Sequence, residues 1–196
     1  MKQFVLLLIV SLLIGCHNPS LIVRSDYAYG GQFAVAKELN DWCTGLDEDP
    51  CGDLPLVGHH AALLFGVRTE VKYTPFDLEM VVGPAVFIPE DTTNSDFVSV
   101  ELGSRALIRN FNVSPFLEAR VGVGYTVGGR WIGEGTRHLY SVTGTVGLSA
   151  RVGDHFKLEV GYRFHHLSNG SVIFGSSSPN SGYNSDMVVF GLSCDF

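Results

Sequence analysis

The 196-residue sequence has few charged side chains and no cluster of basic ones. Only 17% of the residues are charged, and 13 Lys and Arg stand against 20 Asp and Glu, for a formal net charge of -7. A nucleic-acid-binding surface needs clustered cations, and so does electrostatic attraction to anionic lipid. The composition therefore excludes nucleic acid as the partner and provides no polybasic patch.

Long apolar runs are also missing. The longest, residues 4–14, follows one lysine and ends before Gly15-Cys16. It is too short to span a membrane as a helix and is typical of a signal peptide. We therefore predict that residues 1–16 direct export and that residues 17–196 form the mature domain. The residues before Cys16 also resemble a bacterial lipobox, in which the cysteine is lipidated, and an ordinary cleavage site remains the alternative.

Cysteine is scarce, with four residues in the chain. Cys43 and Cys51 lie in an acidic segment with Gly and Pro, and in an oxidising compartment a disulfide could join them. A metal site is the alternative, but it would need more ligands than this segment and the following His59 and His60 clearly arrange. We therefore favour the disulfide and predict no metal. Cys194 lies in a strand-like run, where we expect it to act as a small apolar residue.

Helical periodicity is scarce, whereas runs of about ten residues with apolar side chains at every second position recur. Eight such runs cover residues 27–37, 61–73, 76–88, 97–108, 114–127, 140–151, 156–168 and 187–196. Short and long connections alternate between them. The pattern predicts an all-β fold, an eight-stranded antiparallel up-and-down transmembrane β-barrel in the outer membrane of a Gram-negative bacterium. Short turns would face the periplasm and long loops the outside.

The charges fall on one face of these runs. Leu117, Ala119 and Val121 alternate with Glu118 and Arg120, for example. The charged face carries Arg68, Lys72, Arg105, Arg120, Arg151, Lys157 and Arg163 together with Glu70, Asp77, Glu79, Glu101, Glu118, Glu159 and Asp195. The interior of an eight-stranded barrel is filled by side chains, and buried charges must be paired. We therefore predict a plugged, ion-paired lumen.

A soluble lipocalin-type barrel is the competing fold, and it would place the apolar side chains inside and the charges outside. The parity of the runs cannot separate the two folds. The signal peptide, the asymmetry of the loops and the terminal Phe196 favour the membrane barrel.

A potential base and a potential nucleophile lie close together on the seventh strand. His166 and Ser168 are two residues apart, so both side chains leave the same face of a strand. That face is the outer wall, and the pair lies at its outer end, where polar residues can simply mark the edge of the apolar band. His165 points into the lumen, where we expect a hydrogen-bonded filler.

The residues around this pair resemble a known family. Tyr162-Arg163-Phe164-His165-His166-Leu167-Ser168-Asn169-Gly170, followed by Pro179-Asn180-Ser181-Gly182, is similar to the end of the lipid A 3-O-deacylases, the PagL-like acyloxyacyl hydrolases. The resemblance implies an outer-membrane esterase that uses no cofactor and acts on lipid A of lipopolysaccharide. It implies that His166 is the general base, Ser168 the nucleophile, Asn169 part of the oxyanion hole and Asn180 a supporting residue.

The third member of the catalytic set departs from the family pattern. Asn184 stands where the family has a glutamate, and Asp186 follows on the same strand face. Asp186 could take the role if the strand register allows it, whereas the aligned Asn184 could orient the imidazole by a hydrogen bond without stabilising its charge. A non-enzymatic structural or adhesive barrel and a catalytically impaired deacylase are the competing functions. The chain could act as a monomer or as a homodimer.

Overall fold

The computed structural model describes residues 16–31, 57–90, 95–109, 111–128, 137–168 and 183–196. Eight antiparallel strands, each paired with its sequence neighbours, close into a barrel when β1 pairs with β8. The predicted fold is confirmed. In the described residues no helix is long and apolar enough to cross a membrane. The strands are β1 (Cys16–Gly31), β2 (Gly58–Val71), β3 (Phe76–Pro89), β4 (Asp96–Ile108), β5 (Val113–Val127), β6 (His138–Arg151), β7 (Phe156–Ser168) and β8 (Tyr183–Asp195).

The two ends of the barrel differ in their connections. Residues 72–75, 109–112 and 152–155 make the turns at one end, called here the short-turn end. Residues 32–57, 90–95, 128–137 and 169–182 connect the strands at the other end, the long-loop end. The alternation expected from the sequence is therefore present, and β7 runs toward the long-loop end.

The first strand differs from its prediction. We expected it over residues 27–37, but β1 covers Cys16–Gly31. The run Leu21-Ile22-Val23 has no alternation, and this hides the strand in the sequence. The strand nevertheless alternates in the barrel, because Leu21 and Tyr27 are exposed whereas Ile22, Arg24 and Asp26 are buried. The last strand also begins earlier than expected, at Tyr183 and not at residue 187.

The apolar side chains form the outer wall of the barrel. Leu21 and Leu117 are 64% and 63% exposed, whereas Arg24 and Arg120 are at most 2% exposed. A lipocalin-type barrel has the reverse arrangement, so that alternative is wrong. A wall of exposed leucine, valine and phenylalanine is stable against lipid and unfavourable in water.

The lumen is filled by a network of ion pairs. Among the described residues five buried arginines meet five buried carboxylates, namely Arg24, Arg68, Arg105, Arg120 and Arg163 with Asp26, Glu79, Glu101, Glu118 and Glu159. Glu118 is central: its carboxylate lies 2.6 Å from Arg24 Nη2 and 2.8 Å from Arg105 Nε, and it also pairs with Arg120. The predicted ion-paired lumen is therefore present, and it gains Arg24 and Asp26 from the longer β1.

Three of the charges predicted in the lumen lie outside it. Lys72, Glu70 and Arg151 are exposed at the short-turn end. Glu70 there pairs with Arg109, whose Nη1 lies 2.8 Å from its carboxylate. These residues have the sequence parity of the inward face, as predicted. They lie at the ends of their strands, however, and not in the packed interior.

An apolar layer closes the lumen at the long-loop end. It consists of buried side chains near the ends of the strands, namely Ala28, Phe87, Phe97, Leu139, Leu167, Tyr183, Met187 and Val189. This apolar layer was not predicted from the sequence, because only the charged residues of the inward face indicated a lumen. Leu167, which is fully buried in the layer, lies between His166 and Ser168 in the sequence.

The network predicts a large effect of Glu118→Gln, which keeps the side chain's shape and removes its charge. Arg24, Arg105 and Arg120 would lose a shared counter-charge in the buried interior of the barrel. We expect the free energy of unfolding to fall by about 3 kcal/mol or more, the range found when one partner of a buried ion pair is removed. Urea unfolding of the barrel in lipid vesicles measures the change.

Glu70→Gln is the matched control for this measurement. Glu70 is an exposed partner of an arginine, and exposed pairs contribute about 0–1 kcal/mol. An unchanged unfolding midpoint for Glu118→Gln would mean that the lumenal charges do not stabilise the barrel.

Candidate active site

The end of β7 presents His166 and Ser168 on the outer wall at the long-loop end. In the ladder between β6 and β7, Val142 lies opposite His166 and Tyr140 lies opposite Ser168. The intervening Leu167 is locked in the apolar layer, and alternate residues of a strand point to opposite faces. Both polar side chains must therefore point away from the lumen, as the sequence predicted.

Asn184 contacts the imidazole of His166. The two residues lie directly opposite each other in the ladder between β7 and β8. His166 Nδ1 and Asn184 Oδ1 are 2.8 Å apart, a hydrogen bond in which the imidazole N–H donates to the amide oxygen. A proton on Nδ1 leaves the lone pair on Nε2, which is the tautomer that a general base for the serine requires.

Asp186 occupies the next outward position of β8, and Phe164 lies opposite it. It is therefore diagonal to His166, about 7 Å away by ordinary sheet geometry. Its fully buried carboxylate accepts a hydrogen bond from the Tyr162 hydroxyl. Sequence reasoning missed Tyr162, although its place in the same outward row as His166 was a usable signal.

Ser168 is almost covered, with 9% of its surface exposed. Within the described residues no hydrogen bond joins its hydroxyl to the His166 ring. Two residues of strand separate the two Cα atoms by about 7 Å. Hydrogen bonds between a base and its nucleophile are often long in a free enzyme and tighten when substrate binds.

His165 faces the lumen as expected, but it is not the hydrogen-bonded filler that we predicted. In the described part of the chain neither ring nitrogen has a hydrogen-bond partner. The ring instead packs edge-on against Phe87 and His60, with ring centroids 5.2 and 5.1 Å apart. The neighbouring hydroxyls of Thr143 and Ser185 likewise have no partner there.

Asn169, Asn180, Cys43 and Cys51 lie outside the described residues. Cys194 is a free, half-buried thiol in β8. Within the described ranges no group of three or more His, Cys, Asp or Glu side chains could hold a metal ion.

The fold and site define an eight-stranded barrel with a polar Ser/His pair on an apolar outer wall. The sequence matches the family Lipid A 3-O-deacylase (PagL) over residues 24–193, from within β1 to within β8, and the chain belongs to that family. The barrel is similar to the crystal structure of Neisserial surface protein A (NspA), with a TM-score of 0.55 and 15% identity over 92% of this chain and 100% of that one. That likeness concerns the fold alone. No curated protein matches the sequence.

The contact between His166 and Asn184 predicts the tautomer of the imidazole. We expect ¹⁵N NMR of histidine-labelled protein in micelles to show His166 protonated at Nδ1 at about pH 8, where free imidazole is neutral. In Asn184→Leu, which cannot accept a hydrogen bond, that preference should disappear.

His166→Gln assigns the signal, and Ser185→Ala on the lumenal face of the same strand is the control. The interpretation is wrong if His166 is protonated at Nε2 in the unmodified protein.

Proposed function

We propose that the chain is a lipid A 3-O-deacylase, a serine esterase that hydrolyses the 3-linked hydroxyacyl ester of lipid A in the outer leaflet of the outer membrane. The observation that supports it most is the hydrogen bond from His166 to Asn184 beside Ser168 on the outer wall. This is the geometry of an oriented base next to a hydroxyl nucleophile.

The place of the site suits a lipid substrate. The apolar wall would be surrounded by acyl chains, with the long-loop end at the cell surface and the short-turn end in the periplasm. Ser168 then lies where the acyl chains of the outer leaflet meet their headgroups. An ester bond at that depth can reach the serine by diffusion within the leaflet, without entering the lumen.

The reaction divides into two halves. Ser168 Oγ attacks the ester carbonyl while His166 Nε2 takes its proton, and a tetrahedral oxyanion forms. The bond between the acyl carbon and the sugar's 3-oxygen then breaks, and the imidazolium gives its proton to that oxygen, which leaves as the 3-hydroxyl while the acyl chain stays on Ser168. Water, deprotonated by His166, attacks this ester and releases a hydroxy fatty acid and the free serine.

Donors near Ser168 would stabilise the oxyanion. Asn169 follows the nucleophile directly, and its amide or a backbone N–H beside it is suited to this role, as the family resemblance implies. Asn180 would support the same segment.

The work of the third catalytic residue is divided between two side chains. Asn184 orients the ring and selects its tautomer, but an amide cannot offset the positive charge that the imidazole acquires. Asp186 is diagonal to the ring, and its negative carboxylate, which accepts a hydrogen bond from Tyr162, would offset that positive charge. Attraction over about 7 Å is weaker than attraction within a hydrogen bond, because Coulomb energy falls with distance.

Ser168→Ala tests the reaction directly. We expect mass spectrometry to find lipid A lacking the 3-linked hydroxyacyl chain in cells that express the unmodified protein. Lipid A from cells that express the variant should keep that chain, because no nucleophile remains. A 3-position that stays acylated in both would refute the activity.

Ser185→Ala is the matched control for this experiment. It also removes a single hydroxyl near the same end of the barrel, but from the lumenal face. We expect it to leave deacylation unchanged.

If Asn184 orients the imidazole and Asp186 offsets its charge, two substitutions should have opposite effects on kcat. Asn184→Glu places a carboxylate on the ring, as the family pattern has it, and should raise kcat at least tenfold, since loss of this charge in a serine triad costs about 10⁴. Asp186→Asn in the unmodified background should lower kcat with little change in KM.

The double variant separates this explanation from simple damage. In the Asn184→Glu background the charge of Asp186 should no longer matter, so Asp186→Asn should have little effect there. Equal losses in both backgrounds would show that Asp186 has only a structural role.

A catalytically impaired deacylase is the second candidate, and the amide of Asn184 in place of a carboxylate favours it. In that case Asn184→Glu would create deacylation that the unmodified chain lacks. The adhesive barrel depends on the loop with Cys43 and Cys51, outside the described residues.

A further inference from the structure

A cluster of one arginine and two aromatic rings lies on the outer wall beside the proposed active site. It consists of Arg137, Tyr125 and His138, and it is called here the arginine cluster. Arg137 Nη1 donates a hydrogen bond of 3.0 Å to the Tyr125 hydroxyl, and its guanidinium carbon is 5.9 Å from the centroid of that ring. The rings of Tyr125 and His138 meet edge to face, with centroids 5.2 Å apart.

The cluster is built into the sheet. The N–H of Thr126 donates to the carbonyl oxygen of Arg137 over 2.9 Å, which continues the ladder between β5 and β6 past the start of β6. Tyr125 and His138 are opposite each other in that ladder. The backbone therefore holds Arg137 at a fixed height at the long-loop end.

The cluster is close to the nucleophile. His138 is two residues before Tyr140 on the outward face of β6, and Tyr140 is opposite Ser168. Two residues of strand correspond to about 7 Å. A headgroup whose ester reached Ser168 would thus extend over the arginine cluster.

Arg137 also differs from the arginines of the lumen. It is exposed, and within the described residues it pairs with no carboxylate, whereas Arg24, Arg105, Arg120 and Arg163 all do. In the described part of the chain its Nη1 donates to the Tyr125 hydroxyl, which leaves further N–H donors that an acceptor from outside the chain could engage. A guanidinium matches the oxygens of a phosphate with two parallel hydrogen bonds.

We propose that the arginine cluster binds a phosphate group of the glycolipid headgroup while the ester lies at Ser168. This inference rests on the proposed function, because lipid A is a phosphorylated glucosamine disaccharide. Arg137 supplies the charge, and the Tyr125 hydroxyl holds the guanidinium in place. The cluster would determine which lipids are retained long enough to react.

On the other side of the proposed active site, a second aromatic cluster lies near a carboxylate and not an arginine. Tyr27 and Tyr29 of β1 pack around His59, which lies 3.6 Å from the Glu90 carboxylate. A carboxylate repels phosphate, so this second aromatic cluster does not offer the same chemistry. It provides a matched control, since β1 and β5 are each two strands from β7 in the closed barrel.

The test compares Arg137→Gln with the unmodified protein on bisphosphorylated lipid A and on lipid A stripped of phosphate by a phosphatase. For the phosphorylated lipid we expect KM to rise roughly tenfold with kcat unchanged, the loss typical of one hydrogen bond to a charged group. For the stripped lipid both constants should stay the same. Arg137→Lys should recover part of the loss, because it keeps the charge without the two-pronged geometry.

A direct measurement of lipid binding tests the proposal without relying on hydrolysis. Each variant is also made in the Ser168→Ala background, and its affinity for fluorescent bisphosphorylated lipid A in detergent is measured. Arg137→Gln should weaken binding roughly tenfold, Tyr27→Phe should not, and inorganic phosphate should not displace the lipid. Should no variant hydrolyse lipid A, the proposed function fails while the binding result still decides the role of the cluster.

The proposal is overturned by equal KM changes on both lipids, by unchanged affinity of Arg137→Gln, or by an equal loss in Tyr27→Phe. Displacement of the lipid by inorganic phosphate would instead assign the cluster to the free anion.

Discussion

The pairing of charges inside the lumen is the constraint on which the other features depend. A carboxylate such as Glu118 is buried among Arg24, Arg105 and Arg120, and each of these cations would be costly without a partner. Those partners come from different strands, so the ion pairs form together only when the strands are correctly aligned. A slip of one residue in β1, β2, β3, β4, β5 or β7 would turn its buried charges toward the lipid and break their ion pairs. The network therefore helps to specify the register of these six strands.

The same register determines which side chains are neighbours on the outer wall. In the ladder between β7 and β8, Asn184 lies opposite His166, and Asp186 lies two residues further along β8. The apolar layer acts at the same place, because turning Leu167 out of it would leave a cavity in the layer and would turn His166 and Ser168 toward the lumen. The orientation of His166 and Ser168 is therefore held by two inward interactions, ionic in the middle of the barrel and apolar at its end.

The sequence predicts the features that follow from the two-residue period of a strand. It does not predict the features that depend on the register between neighbouring strands. Parity predicted eight strands and placed His166 and Ser168 on the apolar face; together with the signal peptide, the loop asymmetry and Phe196 it predicted a charged lumen and an outward direction for that face. It could not choose between Asn184 and Asp186, since both point outward and only the pairing of β7 with β8 distinguishes them. It also lost the start of β1, because three consecutive apolar residues conceal the alternation. His165 shows a further limit: its inward direction was predictable, but its lack of a hydrogen-bond partner depends on neighbours from other strands.

The filled lumen also restricts where the proposed hydrolase could work. The proposed deacylation consumes water, and in the described residues the ion-paired interior and the apolar layer fill the lumen between the short-turn end and Ser168. Water would therefore reach the serine from the headgroup region, and a serine deeper in the acyl chains would have substrate but no water. One placed in the loops would have water but no ester. The last residue of β7 satisfies both requirements, which gives a physical reason for a nucleophile at the point where the apolar band of the wall ends.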